Sequence, residues 1–218
     1  MDILIVRHGE SVADIEERME GRANYPLTDK GRGQAVRAAQ WIATHFQPVA
    51  VFTSPLSRAV ECAEIIAKTV GIKVTKDDNL LDWNHGVLAG MLRSEAATKY
   101  PEVPGGRKPH EAIEGGESDI ELRARAETFI SKLLHTPAYQ DKTVLLVAHT
   151  MTINKLFDAF LGLPISRGGV RFHGLDTGIH HWRFHEGYKY ILMTNSQEHL
   201  KDASFISGEA LHGELSQL

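Results

Sequence analysis

The sequence predicts a doubly wound α/β fold: three layers, with helices on both faces of a mainly parallel sheet. Two observations carry that expectation. Short apolar runs at Ile3–Val6, Val49–Phe52 and Val144–Ala148 read as buried strands, and segments of helical periodicity follow and separate them. Each run also ends in polar residues that include an arginine or a histidine, and in open α/β sheets ligands bind just beyond the carboxyl ends of the strands.

Ile3-Leu4-Ile5-Val6 opens the chain as a strand and delivers Arg7 and His8 onto Gly9, where the backbone turns. Ala35, Ala38, Ala39, Ile42 and Phe46 recur at helical spacing. After the second strand, Ser54 is the expected N-cap and Pro55 the first helical residue, which puts Arg58 in or near the first turn. In that helix Cys62, Ile65, Ile66, Thr69 and Val70 fall on one face, so the cysteine reads as core. Pro101–Gly116 is an irregular Pro- and Gly-rich loop and a candidate lid. The capping box Ser118-x-x-Glu121 opens a further helix with Leu122, Ala126, Phe129, Ile130 and Leu133 on its apolar face. The strand at Val144–Ala148 ends in His149-Thr150 and another amphipathic stretch. His180–Phe184 and Tyr190–Met193 read as late strands at one edge of the sheet.

A nucleophilic histidine between arginines is suited to phosphoryl transfer. A neutral imidazole nitrogen of His8 attacks phosphorus, and charge builds on the equatorial oxygens. Arg7 and Arg58 can each grip two of those oxygens, and a protonated His149 adds a third positive donor. This design calls for no cofactor and no metal. His180, His181 and His185 lie close together, but no carboxylate or cysteine stands at ligand spacing, and they read as structural.

Several blocks in order resemble the histidine phosphatase superfamily, in its phosphoglycerate mutase-like branch: Arg7-His8-Gly9-Glu10-Ser11; Pro26-Leu27-Thr28 with Gly31, Gln34 and Ala35; Ser54-Pro55-Leu56-Ser57-Arg58-Ala59; Gly116-Glu117-Ser118 with Arg125; His149; and Asn195 with His199-Leu200. The match spans residues 1–200, read as one domain, and leaves 201–218 as a C-terminal tail. The resemblance implies a phosphoglycerate mutase-like fold and assigns the same roles to Arg7, His8, Arg58 and His149. It also places Asp82, in Leu80-Leu81-Asp82-Trp83-Asn84-His85-Gly86, where the family's acid is usually a glutamate. Asp82 is therefore the candidate general acid, one methylene shorter than usual; its alternative is a loop-capping aspartate.

The candidate substrate-binding residues are Asp14, Glu20, Gly21 and Thr150. Asp14 stands where the family often has an asparagine, and Glu20 where a neutral polar residue is usual. Both add negative charge beside a phosphate, which disfavours a substrate bearing several anionic groups unless they pair with a cation. The alternative is that they turn to solvent or to Arg22. Arg107, Lys108 and His110 in the candidate lid could restore positive charge, or simply be solvated.

The chain has 218 residues, 42% of them hydrophobic, enough for one sizeable core, and a formal net charge of −4 that points away from nucleic acid and anionic membrane. One cysteine excludes an intrachain disulfide, and no apolar run is long enough to span a bilayer, so a cytoplasmic enzyme is expected. The expected partner is a small-molecule phosphate ester. Hydrolysis is the leading reaction, a phosphoglycerate mutase-type phosphotransfer the second, and a catalytically silent binding protein the third.

Overall fold

The computed structural model describes residues 1–101, 103, 105–165 and 170–201. Strands β1 (Asp2–Arg7), β2 (Pro48–Thr53), β3 (Val74–Lys76), β4 (Thr143–Ala148), β5 (Ile179–His185) and β6 (Tyr188–Ser196) form one sheet in the order β3-β2-β4-β1-β5-β6. The β3-β2, β2-β4 and β4-β1 pairings are parallel, whereas β1-β5 and β5-β6 are antiparallel. The sheet is thus mixed, and the two late strands lie at one edge, as their sequence positions suggested.

The helices are α1 (Val12–Ile15), α2 (Asp29–His45), α3 (Ser57–Val70), α4 (Arg93–Lys99), α5 (Asp119–Leu134) and α6 (Thr150–Leu161). Alternation along the central strands explains why their sequences are almost uninterruptedly apolar. Leu4 and Val6 of β1 pack with Ala35, Ala39 and Ile42 of α2 and with Cys62, Ala63 and Ile66 of α3. Ile3 and Ile5 point the other way, into a core with Phe129 and Ile130 of α5 and Leu156, Phe157 and Phe160 of α6. Both faces are covered, so no position in these strands can be polar without a buried partner.

Two local expectations are corrected. Helix α3 starts at Ser57, with Leu56 as a cap that makes no side-chain bond; Ser54 instead accepts from the Leu56 backbone N–H at 3.3 Å. Pro55 therefore lies in the turn before the helix. Arg58 still falls in the first turn. The buried face of α3 is Ala59, Cys62, Ala63, Ile66 and Ala67, whereas Thr69 is exposed and Ile65 and Val70 are half-buried. The expected face included β-branched residues on its margin and passed over the alanines that pack closest to the sheet. The capping box at Ser118 is present in both directions.

Gly9 matters for space. A side chain there would strike the Gly31 carbonyl at 2.5 Å, and one at Gly31 would strike the Glu10 carbonyl at 2.1 Å. Two glycines thus let α2 start against the turn that carries His8.

Candidate active site

Three parallel strands deliver the site. Arg7 is the last residue of β1, His8 follows it, the turn after β2 carries Arg58 into the first turn of α3, and His149 follows β4 as the N-cap of α6. His8 is held by main chain on both sides: its N–H donates to Ala148, and its carbonyl accepts from Thr177.

The His8 ring faces Gly9 with one edge and Arg58 with the other. Nδ1 lies 2.8 Å from the Gly9 carbonyl, which can only accept, so Nδ1 carries the proton. Nε2 then presents its lone pair and accepts from Arg58 Nε at 3.3 Å. Burial, followed by the charges of Arg58 and Arg7, lowers the His8 pKa well below the usual imidazole value and keeps the ring neutral.

Arg58 is fully buried and fixed from several sides. Its guanidinium donates to the carbonyls of Ala23 at 2.9 Å and Gly21 at 2.8 Å, to Asp82 Oδ2 at 3.2 Å, and lies 3.3 Å from Glu20 Oε1. Gly21 has φ +50°, and a side chain there would meet His85 and the Trp83 carbonyl, so a glycine is required where its carbonyl turns toward Arg58. Arg7 donates to the Gly174 carbonyl at 2.7 Å and lies 3.4 Å from Asp176 and 3.9 Å from Asp14.

His149 lies beside His8, with ring centroids 5.0 Å apart. Neither of its ring nitrogens has a hydrogen-bond partner among the described residues, although the ring is buried. Burial and then Arg58, His8 and Arg7 lower its pKa well below the imidazole value. His149 is therefore a neutral N–H donor in the free protein rather than a standing positive charge, because the arginines beside it already make protonation costly.

Asp82 sits over this group. Its Oδ2 is 3.2 Å from Arg58 and 4.0 Å from His149 Nδ1, while Oδ1 accepts from the Trp83 N–H at 2.8 Å. Burial raises its pKa to about 6, with Glu20 also raising it and Arg58 opposing. The carboxyl thus caps its own loop and also faces the site. Thr150 is the first residue of α6.

Asp14 and Glu20 turn neither to open solvent nor to Arg22. Asp14, the third residue of α1, completes a capping box with the N-cap Ser11, accepting from the Ser11 N–H at 2.8 Å, with its other oxygen toward Arg7. Glu20 lies inside the site: Oε1 accepts from the Ser11 hydroxyl at 2.6 Å, and Oε2 is 3.8 Å from His8 Nε2. Arg22 instead reaches Glu117 at 3.5 Å.

The supporting residues were not legible as such. Arg125 of α5 grips Glu117 with Nε at 2.6 Å and Nη2 at 2.9 Å, and donates to the carbonyls of Asn79, Leu81 and Asp82. Trp83 donates from its indole to the Glu117 carbonyl, and Thr152 of α6 donates to the Leu81 carbonyl. Asn195 accepts from the Leu175 N–H, and His199 meets Thr177, which secures the turn that meets Arg7. Glu117, Arg125, Asn195 and His199 stand in the sequence blocks noted above, yet their work is to position loops through contacts distant in sequence.

Arg107, Lys108 and His110 are exposed in the described part of the 101–116 loop, and Arg107 is close enough to His85 to help lower its pKa, after burial. The late histidines go separate ways. His180 is buried, His181 donates to Asp2 at 2.6 Å beside Arg183, and His185 is exposed. The carboxylate beside His181 comes from the start of the chain, which local spacing could not show. Among the described residues no group of three or more His, Cys, Asp or Glu side chains could hold a metal ion.

A neutral histidine whose Nε2 lone pair is turned to an arginine N–H, held between buried arginines at the carboxyl ends of parallel strands, defines an α/β protein built to receive a phosphoryl-like anion. The chain belongs to the histidine phosphatase superfamily (branch 1), whose family model matches residues 3–197, and is an enzyme of that family. It is similar to phosphoserine phosphatase 1 of Hydrogenobacter thermophilus, 30% identical over 168 residues that cover 76% of this chain and 78% of the relative. It is likewise 33% identical over 173 residues to a probable phosphoglycerate mutase, GpmB, of Salmonella paratyphi C, covering 75% of this chain and 76% of the relative. In fold it matches the mycobacterial glucosyl-3-phosphoglycerate phosphatase with a TM-score of 0.79 at 24% identity, over 89% of this chain and 99% of that one.

Proposed function

We propose that the protein hydrolyses small phosphomonoesters through a phosphohistidine on His8. The observation that carries this reading is the His8 ring itself, neutral, with Nδ1 locked on the Gly9 carbonyl and the Nε2 lone pair turned toward Arg58. When a phosphate ester enters, its oxygens take over the Arg58 Nε donor and free that lone pair. Nε2 bonds to phosphorus while the ester P–O bond breaks, and Asp82, held protonated up to about pH 6, gives its proton to the departing oxygen. Water then attacks the phosphohistidine, ionised Asp82 takes its proton, and the P–N bond electrons return to Nε2. Arg7, Arg58 and the His149 N–H hold the equatorial oxygens throughout, and Gly21 and Thr150 line the seat.

Hydrolysis is favoured over phosphotransfer between phosphoglycerates because Glu20 and Asp14 pair with Arg58 and Arg7 and so offset part of the positive charge that a substrate with several anionic groups would need. A substrate with several negative groups meets these carboxylates unfavourably, whereas one with a neutral or cationic alcohol does not. Phosphoserine, named for one relative, is compatible with that requirement, since the ammonium of its serine offsets the carboxylate. Intact Arg7, His8, Arg58 and His149 argue against a silent binding protein. A cytoplasmic site of action accords with the absence, among described residues, of any helix long and apolar enough to cross a membrane.

The test is a panel of phosphorylated metabolites, phosphoserine among them, with 3-phosphoglycerate assayed with and without 2,3-bisphosphoglycerate. Release of inorganic phosphate supports the proposal. Phosphate exchange between phosphoglycerates without release supports the mutase reading instead.

A further inference from the structure

Glu20 brings a negative charge to the place where a phosphoryl oxygen must sit. Its Oε1 is engaged by the Ser11 hydroxyl at 2.6 Å and by Arg58 Nε at 3.3 Å. Its Oε2 lies 3.8 Å from His8 Nε2, within reach of the oxygens of a phosphoryl group carried on that nitrogen. The side chain is 13% exposed, so little water screens it. The groups that surround it are His8 after β1, Ser11 before α1, Arg58 from α3, and Asp82 and His85 from the loop after Leu80, both of which feel its charge. The cations are already committed: Arg58 also serves Gly21, Ala23 and Asp82. A fully ionised tetrahedral anion would set an oxygen lone pair directly against Oε2, and a proton between the two oxygens turns that repulsion into a charge-assisted hydrogen bond.

We propose that Glu20 is a specificity residue that makes the anion seat beside His8 take a phosphoryl group carrying a proton, its P–OH donating to Oε2, and refuse a fully ionised anion of the same shape. The proposal deepens the phosphatase reading and rests on it only for where the substrate's phosphoryl group sits. It reverses the ordinary expectation for a cluster of arginines and histidines, which would hold a dianion more tightly than a monoanion. Sulfate and inorganic phosphate separate the two cases, since they share size and geometry but only phosphate has a proton to offer near neutral pH.

The experiment is calorimetric titration of the wild-type protein with each anion at about pH 5.5 and about pH 8, on either side of the range in which phosphate groups lose their second proton. Glu20→Gln, which can still accept from Ser11, and Glu20→Ala as a second variant are titrated alongside. The wild type is expected to prefer phosphate over sulfate by roughly 10- to 100-fold at both pH values, because H2PO4⁻ and HPO4²⁻ each keep a P–OH to donate whereas sulfate has none, as fits one hydrogen bond to a charged group. Both variants are expected to lose the preference, chiefly by binding sulfate more tightly. Ionised Asp82 could accept the same P–OH at the higher pH, so the Glu20 variants, which retain Asp82, isolate the contribution of Glu20 to the ratio. Equal binding of the two anions by the wild type, no phosphate binding at all, or a preference that survives in both variants would overturn the assignment. Turnover of p-nitrophenyl phosphate, measured in parallel, tests the phosphatase reading separately: its absence alongside an intact phosphate preference sinks that reading and leaves this one standing.

Discussion

Asp82 is pulled two ways, since burial and Glu20 favour its neutral form while Arg58 favours the charged one. Burial wins, and the resulting value of about 6 makes the carboxyl a usable proton donor in mildly acidic solution. Asp82→Asn should therefore slow esters of ordinary alcohols by a factor of about 10²–10⁴ while affecting p-nitrophenyl phosphate far less, because that leaving group departs without a proton. The ratio of kcat/KM for the two ester types, compared between wild type and variant, is the readout; equal loss on both would make Asp82 a loop cap only. The same shift bears on stability. A carboxyl whose pKa rises on folding, here from 3.8 to about 6, contributes stability below the lower value that is lost as pH rises to the upper one, up to about 3 kcal/mol. Asparagine does not titrate, so the Tm of Asp82→Asn relative to wild type should become more favourable between about pH 4 and pH 7. His8 and His149 have the opposite sign, their lowered pKa values withdrawing stability as pH falls, but they do so in both proteins and cancel in the difference. At this scale the sequence singled out Arg7, His8, Arg58 and His149, which the structure brings together, because each ends or follows a strand or lies at a helix start. It did not disclose where Glu20 and Asp14 point, because α1 spans only four residues and shows no periodicity that would orient either one.

Among the elements, α5 has the least visible and most consequential task. Its Arg125 holds the backbone of Asn79, Leu81 and Asp82 from below while clamping Glu117, so a helix distant in sequence sets the height of the Asp82 loop. Arg125→Lys keeps the charge but cannot reproduce the forked contacts. It should depress kcat on alkyl esters well beyond its effect on p-nitrophenyl phosphate, the signature of Asp82→Asn, with KM nearly unchanged. A uniform loss on both substrates would mean that Arg125 supports the fold alone. Arg125→Ala leaves Glu117, which is 8% exposed, with only long contacts to the Asn84 N–H at 3.4 Å and Arg22 at 3.5 Å among the described residues, and should cost on the order of 3 kcal/mol in a denaturation experiment. Helix periodicity was legible for α2 and α5, whose apolar stripes are wide. The start of α3 was misplaced because Ser54-Pro55 carries a valid N-cap signature, and tertiary packing begins the helix two residues beyond that proline. Contacts such as Arg125 to Leu81 leave no local trace at all.

Across the whole molecule, the parallel half of the sheet points three strand ends at one place, while antiparallel β5 and β6 complete the edge and lead to Asn195 and His199, which brace the turn facing Arg7. The alternation of strands and helices was readable because both sheet faces are buried and the strands are correspondingly apolar; the mixed direction of the edge was not, since hydrophobic runs carry no sign of direction. On the proposed mechanism, charge on the transferring group is met by Arg7, Arg58 and the His149 donor, so turnover should persist undiminished in excess chelator. Loss of activity that a divalent ion restores would require a different chemistry. The central claim is that His8 itself carries the phosphoryl group. Rapid quenching of the wild-type enzyme during turnover of a labelled ester, followed by peptide mapping under alkaline conditions, should recover an acid-labile phosphoryl group on His8, absent from His8→Ala, a variant expected to keep its fold by circular dichroism. Label on Glu10 or Ser11, or turnover undiminished in His8→Ala, would contradict the account.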